Sequence, residues 1–329
     1  MTARKHHYVP QCYLKGFAKF RDKPKLYVVD AKERKAFRTA PAQVAAERDF
    51  HRIDVEGLAP DAFENSFSKF ESELSLALGR IIESRSIKNE NDRAYLFNLV
   101  AMMAIKNPRL RETFRSAREQ TLKMALDLMT ATPERWASVQ RRAEASGDVE
   151  KNSDVTYEQM RDFSKRGEFT IQVPPMEHLR TELNIFDKIL PCIFNRKWLL
   201  LKAPSKSTAF ITSDHPACLL WSNPSQRGGF YPPGLGLPGT ELIFPISNEL
   251  AMIGSFELED MEIDANQEAI AGINGAAIAY AERQIYARES DFVYAMKPNE
   301  KHNRGETLLQ DKRFQGLRSP TAEPQKETK

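Results

Sequence analysis

Cysteine is almost missing from this sequence. Its 329 residues carry three, Cys12, Cys192 and Cys218. An odd number at such wide spacing argues against a disulfide framework or a cysteine-built structural zinc site, and fits a reducing compartment. Long apolar runs are missing too. No window approaches the roughly 20 apolar residues of a membrane span, and the N-terminus lacks the apolar core of a secretory signal. The expectation is a cytoplasmic protein with no membrane partner. Several short motifs that carry common chemistries are also absent. There is no Walker A loop, no GxGxxG after a strand, no GxSxG elbow, no HExxH and no CxxC. Their absence weighs against P-loop NTPases, Rossmann dehydrogenases, α/β-hydrolases and zinc proteases. No internal repeat occurs.

What is present is ordinary globular composition, 41% hydrophobic and 28% charged, enough for one large domain or two modest ones. The net charge of +3 is unevenly spread. Residues 1–50 hold twelve Lys/Arg against five Asp/Glu, a net of +7, and the remainder nets −4. Tyr8, Tyr13, Phe17, Phe20 and Tyr27 are interleaved with that basic run. The combination suits a nucleic acid or another phosphate-bearing ligand; a solvated basic face is the competing explanation.

The hydrophobic period divides the chain. Residues 24–38 read as a β-hairpin with a turn at Asp30–Glu33, and Phe50–Ile53 as a further strand bearing His51. From Asp61 the spacing of Phe63, Phe67, Phe70, Leu74, Leu78 and Ile81 is helical. Further helices follow: one capped by Asn91 or Asp92, one after the Asn107-Pro108 break, one at Thr132-Pro133 and one at the Thr156–Gln159 capping box. A last one runs from about Met176 to Asn195, kinked at Pro191. After residue 196 the pattern is β. Lys197–Leu201 and Ala209–Thr212 are expected to pair across Pro-Ser-Lys-Ser, followed by strands at 217–221, 241–246, 250–256, 284–288 and 292–296, with a helix at 265–282. Residues 223–240, with five glycines and four prolines, read as a mobile loop at the mouth of a pocket. The layout is one α+β domain over 1–299, its mixed or mainly antiparallel sheet formed by both chain ends. It comprises N-terminal strands (1–56), a helical layer (57–195), a C-terminal sheet and helix (196–299), and a disordered tail (300–329).

Two polar islands carry candidate chemistry. The first is KHHYVPQCYLKGF, which places His6 beside His7 and Gln11 close by. Histidine titrates nearest neutrality and moves protons or binds metals. Adjacent histidines in an extended segment face opposite sides, so they do not readily share one metal ion. The second is Thr212-Ser213-Asp214-His215-Pro216, at the end of an apolar strand. Asp214 there is placed to act as a general base, to orient a histidine or to ligate a metal, and His215 as an acid or base; the alternative is a turn held by side-chain hydrogen bonds. Ser213 lacks the glycines of a nucleophile elbow. Arg109, just past the proline break, is the candidate anion clamp. The sequence specifies neither a metal nor a cofactor.

The first island resembles the N-terminal signature of a bacterial domain-of-unknown-function family, DUF4238-like, whose members begin close to HHYVPQ-x-YL-x-x-F. The FITSDHP and ELIFPIS segments are similar to that family's C-terminal half. The resemblance covers roughly residues 5–295 and implies that the three segments belong to one fold; Cys12 stands where an aromatic residue is expected. It implies no activity. The functional expectation is a hydrolase acting on a phosphate-containing substrate, with His6, His7 and Asp214 catalytic and Gln11, Arg109, Ser213 and His215 binding substrate. The alternative is a non-enzymatic binding or effector module, as in bacterial stress or phage defence.

Overall fold

A computed structural model of the chain contains the expected hairpin and draws its partner strand from the far end of the sequence. The structure describes residues 5–20, 22–48, 62–106, 108–147, 155–167, 169–170, 172–173, 175–204, 209–227, 229 and 231–316. Strand β1 (Lys5–His7) leads through Pro10 into a single helical turn, α1 (Gln11–Leu14). The hairpin is β2 (Leu26–Asp30) and β3 (Lys35–Thr39), and β4 (Ala46–Arg48) returns to pair antiparallel with β1. Helices α2 (Ala62–Ser84), α3 (Glu90–Ile105), α4 (Pro108–Met129), α5 (Pro133–Ser146), α6 (Tyr157–Arg166) and α7 (Pro175–Phe194) follow. The C-terminal part runs β5 (Lys197–Lys202), β6 (Thr212–Ser213), β7 (Cys218–Trp221), β8 (Thr240–Ser247), β9 (Leu250–Ser255), β10 (Met261–Asp264), α8 (Gln267–Tyr280), β11 (Gln284–Ala287), β12 (Val293–Tyr294), β13 (Asn303–Arg304) and α9 (Lys312–Gly316).

The fold is α+β, with two larger sheets. One is antiparallel, ordered β3-β2-β11-β6, and it is the one that uses both chain ends. Val29 stands opposite Ile285, and Ile285 in turn opposite Ser213. The other is mixed, ordered β10-β5-β9-β8-β7, with only β10 and β5 parallel. The expected pairing of 197–201 with 209–212 does not occur. β5 joins the mixed sheet and β6 the antiparallel one; an apolar run specifies a buried strand but not its neighbour. The main core joins Tyr8, Tyr13, Leu14 and Phe17 to α2 and α3 and to the inner faces of β8 and β9. Gly16 belongs there for steric reasons, since a Cβ on it would stand 3.2 Å from the Ile246 carbonyl.

Local rules account for several helix ends. Thr132 caps α5 with Pro133 in its first turn, and Thr156 with Gln159 forms the capping box of α6. The cap of α3 is Asn89, not Asn91 or Asp92. The Asp92 carboxylate is taken by Arg80, at 2.6–3.1 Å, so it is not the capping acceptor, and the backbone amide of Asp92 donates to the Asn89 side chain at 3.0 Å.

Where the sequence suggests one domain over 1–299, the chain forms two compact units, 1–107 with 175–329, and 108–174. The smaller comprises α4, α5 and α6. On α4, Arg115 pairs with Glu112 and Glu119, as expected for a solvated helix face. In the larger unit the chain past residue 299 is not disordered over its described part: β13 pairs with β12, and Leu308 and Phe314 are fully buried. The sequence reading missed this because two apolar anchors suffice to dock a charged segment. His51 lies outside the described residues.

Candidate functional site

The two polar islands meet, and they do so through tyrosines. The buried Tyr13 hydroxyl accepts from Thr212 Oγ1 and donates to the Pro245 carbonyl, both at 2.7 Å. Its ring stands 5.3 Å from those of Phe17 and Phe244. Tyr8 is buried as well. Burial pushes its hydroxyl pKa up, and the charge of Asp214 and then that of Glu47 push it the same way. One seam thus ties the N-terminal motif to the β6 strand and to ELIFPIS. Tyr13→Phe is expected to cost about 1–3 kcal/mol, because both partners lose a buried hydrogen bond. Urea denaturation checks this; a midpoint equal to wild type would mean the hydroxyl contributes nothing.

Asp214 sits in that seam, buried. Its carboxylate accepts from the backbone amides of Glu282 (2.7 Å), Arg283 (2.7 Å) and Gln284 (2.9 Å), and its own amide donates to the Gln284 carbonyl at 3.0 Å. These amides belong to the turn from α8 into β11. Ser213 is fully buried and its Oγ accepts from the His215 amide at 3.1 Å, the side-chain turn that is the alternative reading of this motif. The His215 ring meets Tyr280 edge-on at 5.4 Å.

The histidine pair lies on β1, where alternation separates the two rings. His6 is buried, opposite Glu47 on β4. His7 is half-buried. Its Nε2 lies 3.3 Å from the Ala42 carbonyl, and its Nδ1 lies 3.4 Å from the Gln11 side-chain amide. Lys106 reaches the His7 carbonyl at 3.5 Å. It also lines a small cavity of about 270 Å³ with Phe70, Met102, Leu179, Glu182 and Phe186. Arg109 belongs to the smaller unit, and its side chain lies outside the described residues.

A second polar cluster surrounds Asp30, which sequence reading passed over as a hairpin turn residue. Its buried carboxylate accepts from Gln284 Nε2 (2.6 Å), Arg283 Nε (2.8 Å) and the Glu33 amide (2.9 Å). Burial works to raise its pKa, but the amide of Glu33, Gln284 and the Arg283 charge outweigh it and hold the group below the usual range. The Tyr286 hydroxyl donates to Gln284 Oε1 at 2.9 Å. Among the described residues, no group of three His, Cys, Asp or Glu side chains is placed to hold a metal ion, and no helix is long and apolar enough to cross a membrane.

Basic side chains collect elsewhere in the larger unit. A cleft of about 610 Å³ is lined by Lys19, Arg288, Glu289, Asp291 and Arg304, beside Gln267 at the start of α8. Glu289 is already committed: it pairs with Lys19 at 2.5 Å and with Arg38. Burial works to raise its pKa, but hydrogen bonds from these two cations hold it low. Arg288 and Arg304 form no ion pair among the described residues.

Comparison with protein families gives a match over most of the chain. The model "Protein of unknown function (DUF4238)" covers residues 5–291. The chain belongs to this family. The DUF4238 span takes in the whole tyrosine seam, the amides that hold Asp214 and, at its end, Arg288; Arg304 lies beyond it. No curated protein and no solved structure matches the chain.

Proposed function

We propose that this DUF4238 chain is a binding module for a phosphate-bearing ligand, nucleic acid or nucleotide, that it holds in the cleft between Lys19, Arg288 and Arg304. The observation that carries the reading is the pair of arginines lining that cleft, which form no ion pair among the described residues. Guanidinium groups grip phosphate oxygens bidentately, and an uncommitted pair gives up no existing ion pair to do so. The basic excess of residues 1–50 supports the same reading indirectly, since Lys19 and Arg38 neutralise Glu289 beside the two arginines. In this proposal Asp214 has a structural role, since its carboxylate accepts from three backbone amides.

A fluorescence-anisotropy titration with a labelled single-stranded oligonucleotide tests the proposal, with unlabelled duplex and free nucleotide as competitors. Contacts with three or four phosphates should give a slope of about −2 to −3 in log K against log salt. A flat salt dependence, or no binding to any of the three at low salt, overturns the reading. Cleavage of the oligonucleotide, abolished in an Asp214→Asn protein that melts like wild type, would restore the hydrolase.

A further inference from the structure

A larger depression runs along the other side of α8. It measures about 780 Å³ and lies between the helix, the β7–β9 strands and the turn at 295–302. Its floor is apolar, made by Leu220, Ile243, Ile253, Ile273 and Ala276. Its rim is cationic, with Arg227, Lys297 and Lys301. Lys297 and Lys301 form no ion pair among the described residues. Of the rim carboxylates, Glu300 is held by Arg313 at 2.8 Å, which leaves Glu268 facing three cations.

Two glycines of α8 line this groove, and they differ. A Cβ on Gly275 would stand 1.8 Å from the Ala295 carbonyl oxygen, so packing requires glycine there. A Cβ on Gly272 would meet nothing within 4 Å. Its backbone is ordinary helix, and an interior helical glycine costs about 1 kcal/mol relative to alanine. Neither packing nor backbone conformation accounts for Gly272. A side chain there would project into the open space of the groove.

We propose that this groove binds a linear acyl chain with a carboxylate head, a medium- or long-chain fatty acid, the chain lying over Gly272 on the apolar floor and the head meeting the lysines of the 295–302 turn. The volume falls within the usual range for small-molecule sites, about 300–1,000 Å³, which are mostly apolar with a few placed polar groups. A cationic amphiphile would meet repulsion at the same rim.

Calorimetric titration of the full chain with laurate below its micellar concentration tests this, with dodecylamine as the charge control. Saturable 1:1 binding of laurate is expected, and dodecylamine should bind at least about tenfold more weakly. Gly272→Leu fills the floor with a good helix former. It should keep or raise the melting temperature while weakening laurate at least about tenfold, the equivalent of about 1.4 kcal/mol. Lys297→Glu with Lys301→Glu should remove the preference for laurate over dodecylamine. Arg288→Ala with Arg304→Ala should leave laurate untouched, which separates this site from the phosphate cleft. Absence of saturable laurate binding, wild-type affinity in a folded Gly272→Leu protein, or equal binding of both amphiphiles would overturn the proposal. So would binding confined to an acidic amphipathic peptide.

Discussion

Asp214→Ala is expected to cost about 3–6 kcal/mol, a large share of the roughly 5–15 kcal/mol that a domain has. The loss comes from the three amides of Glu282, Arg283 and Gln284, whose shared acceptor is removed. Each buried amide left without a partner costs about 1–3 kcal/mol. Asp214→Asn should cost less, about 2–3 kcal/mol, because its one carbonyl oxygen replaces part of the acceptor capacity while its NH2 faces donors. Urea denaturation at constant m-value measures both. The contrast with a catalytic aspartate is sharp. A general base loses roughly 100- to 10,000-fold in rate on substitution and need not lose stability. Asn at 214 with an unchanged midpoint would show that the amide cradle is not what holds this turn.

The second large effect is expected at Arg196, which no motif marks. Its guanidinium is buried and donates to the carbonyls of Thr240 (2.8 Å), Gly254 (2.9 Å) and Leu235 (2.8 Å) and to Thr240 Oγ1 (2.8 Å). It lies over the Phe256 ring, 4.4 Å from the centroid. It makes no ion pair with a carboxylate among the described residues, and burial lowers its pKa. The group therefore works as a rigid fork that ties the 231–240 loop to the end of β9. Arg196→Ala should cost about 3–5 kcal/mol, since it strands several buried carbonyls. Arg196→Lys should recover only part, because an ammonium lacks the planar fork. Limited proteolysis supplies the second readout: cleavage within 231–240 should become the first event in the variant. Unchanged stability in Arg196→Ala would mean that water replaces the guanidinium without loss.

Much of the fold was legible from local pattern. The hairpin at 24–38, the period of Phe70, Leu74, Leu78 and Ile81, and the caps at Thr132 and Thr156 rest on interactions between residues near in sequence. Sheet membership was harder. Nothing local distinguishes β6 paired with β11 from β6 paired with β5, and the segment leading into β6 is held by Asn274. This buried side chain accepts from the Ile211 amide and donates to the carbonyls of Ala209 and Val293, and the first two segments lie more than 60 residues away in sequence. The candidate site divides the same way. Both polar islands were visible as sequence, and the structure joins them through Tyr13 and Tyr8. The Asp30 cluster and the basic cleft were invisible, because their members come from residues 19, 30, 38, 283–291 and 304. Their one sequence signal was the charge excess of the first 50 residues.

The most direct measurement compares two proteins in one oligonucleotide titration. Arg288→Glu with Arg304→Glu changes side chains that make no ion pair among the described residues, so its melting temperature should stay near that of wild type. Its affinity at low salt should fall by about 100-fold or more, as two charge-assisted contacts become repulsive. Asp214→Asn, assayed below its lowered melting temperature, should bind like wild type. The reverse pattern, binding kept in the double arginine variant and lost in folded Asp214→Asn, would contradict the assignment of the ligand to the cleft and return it to the seam.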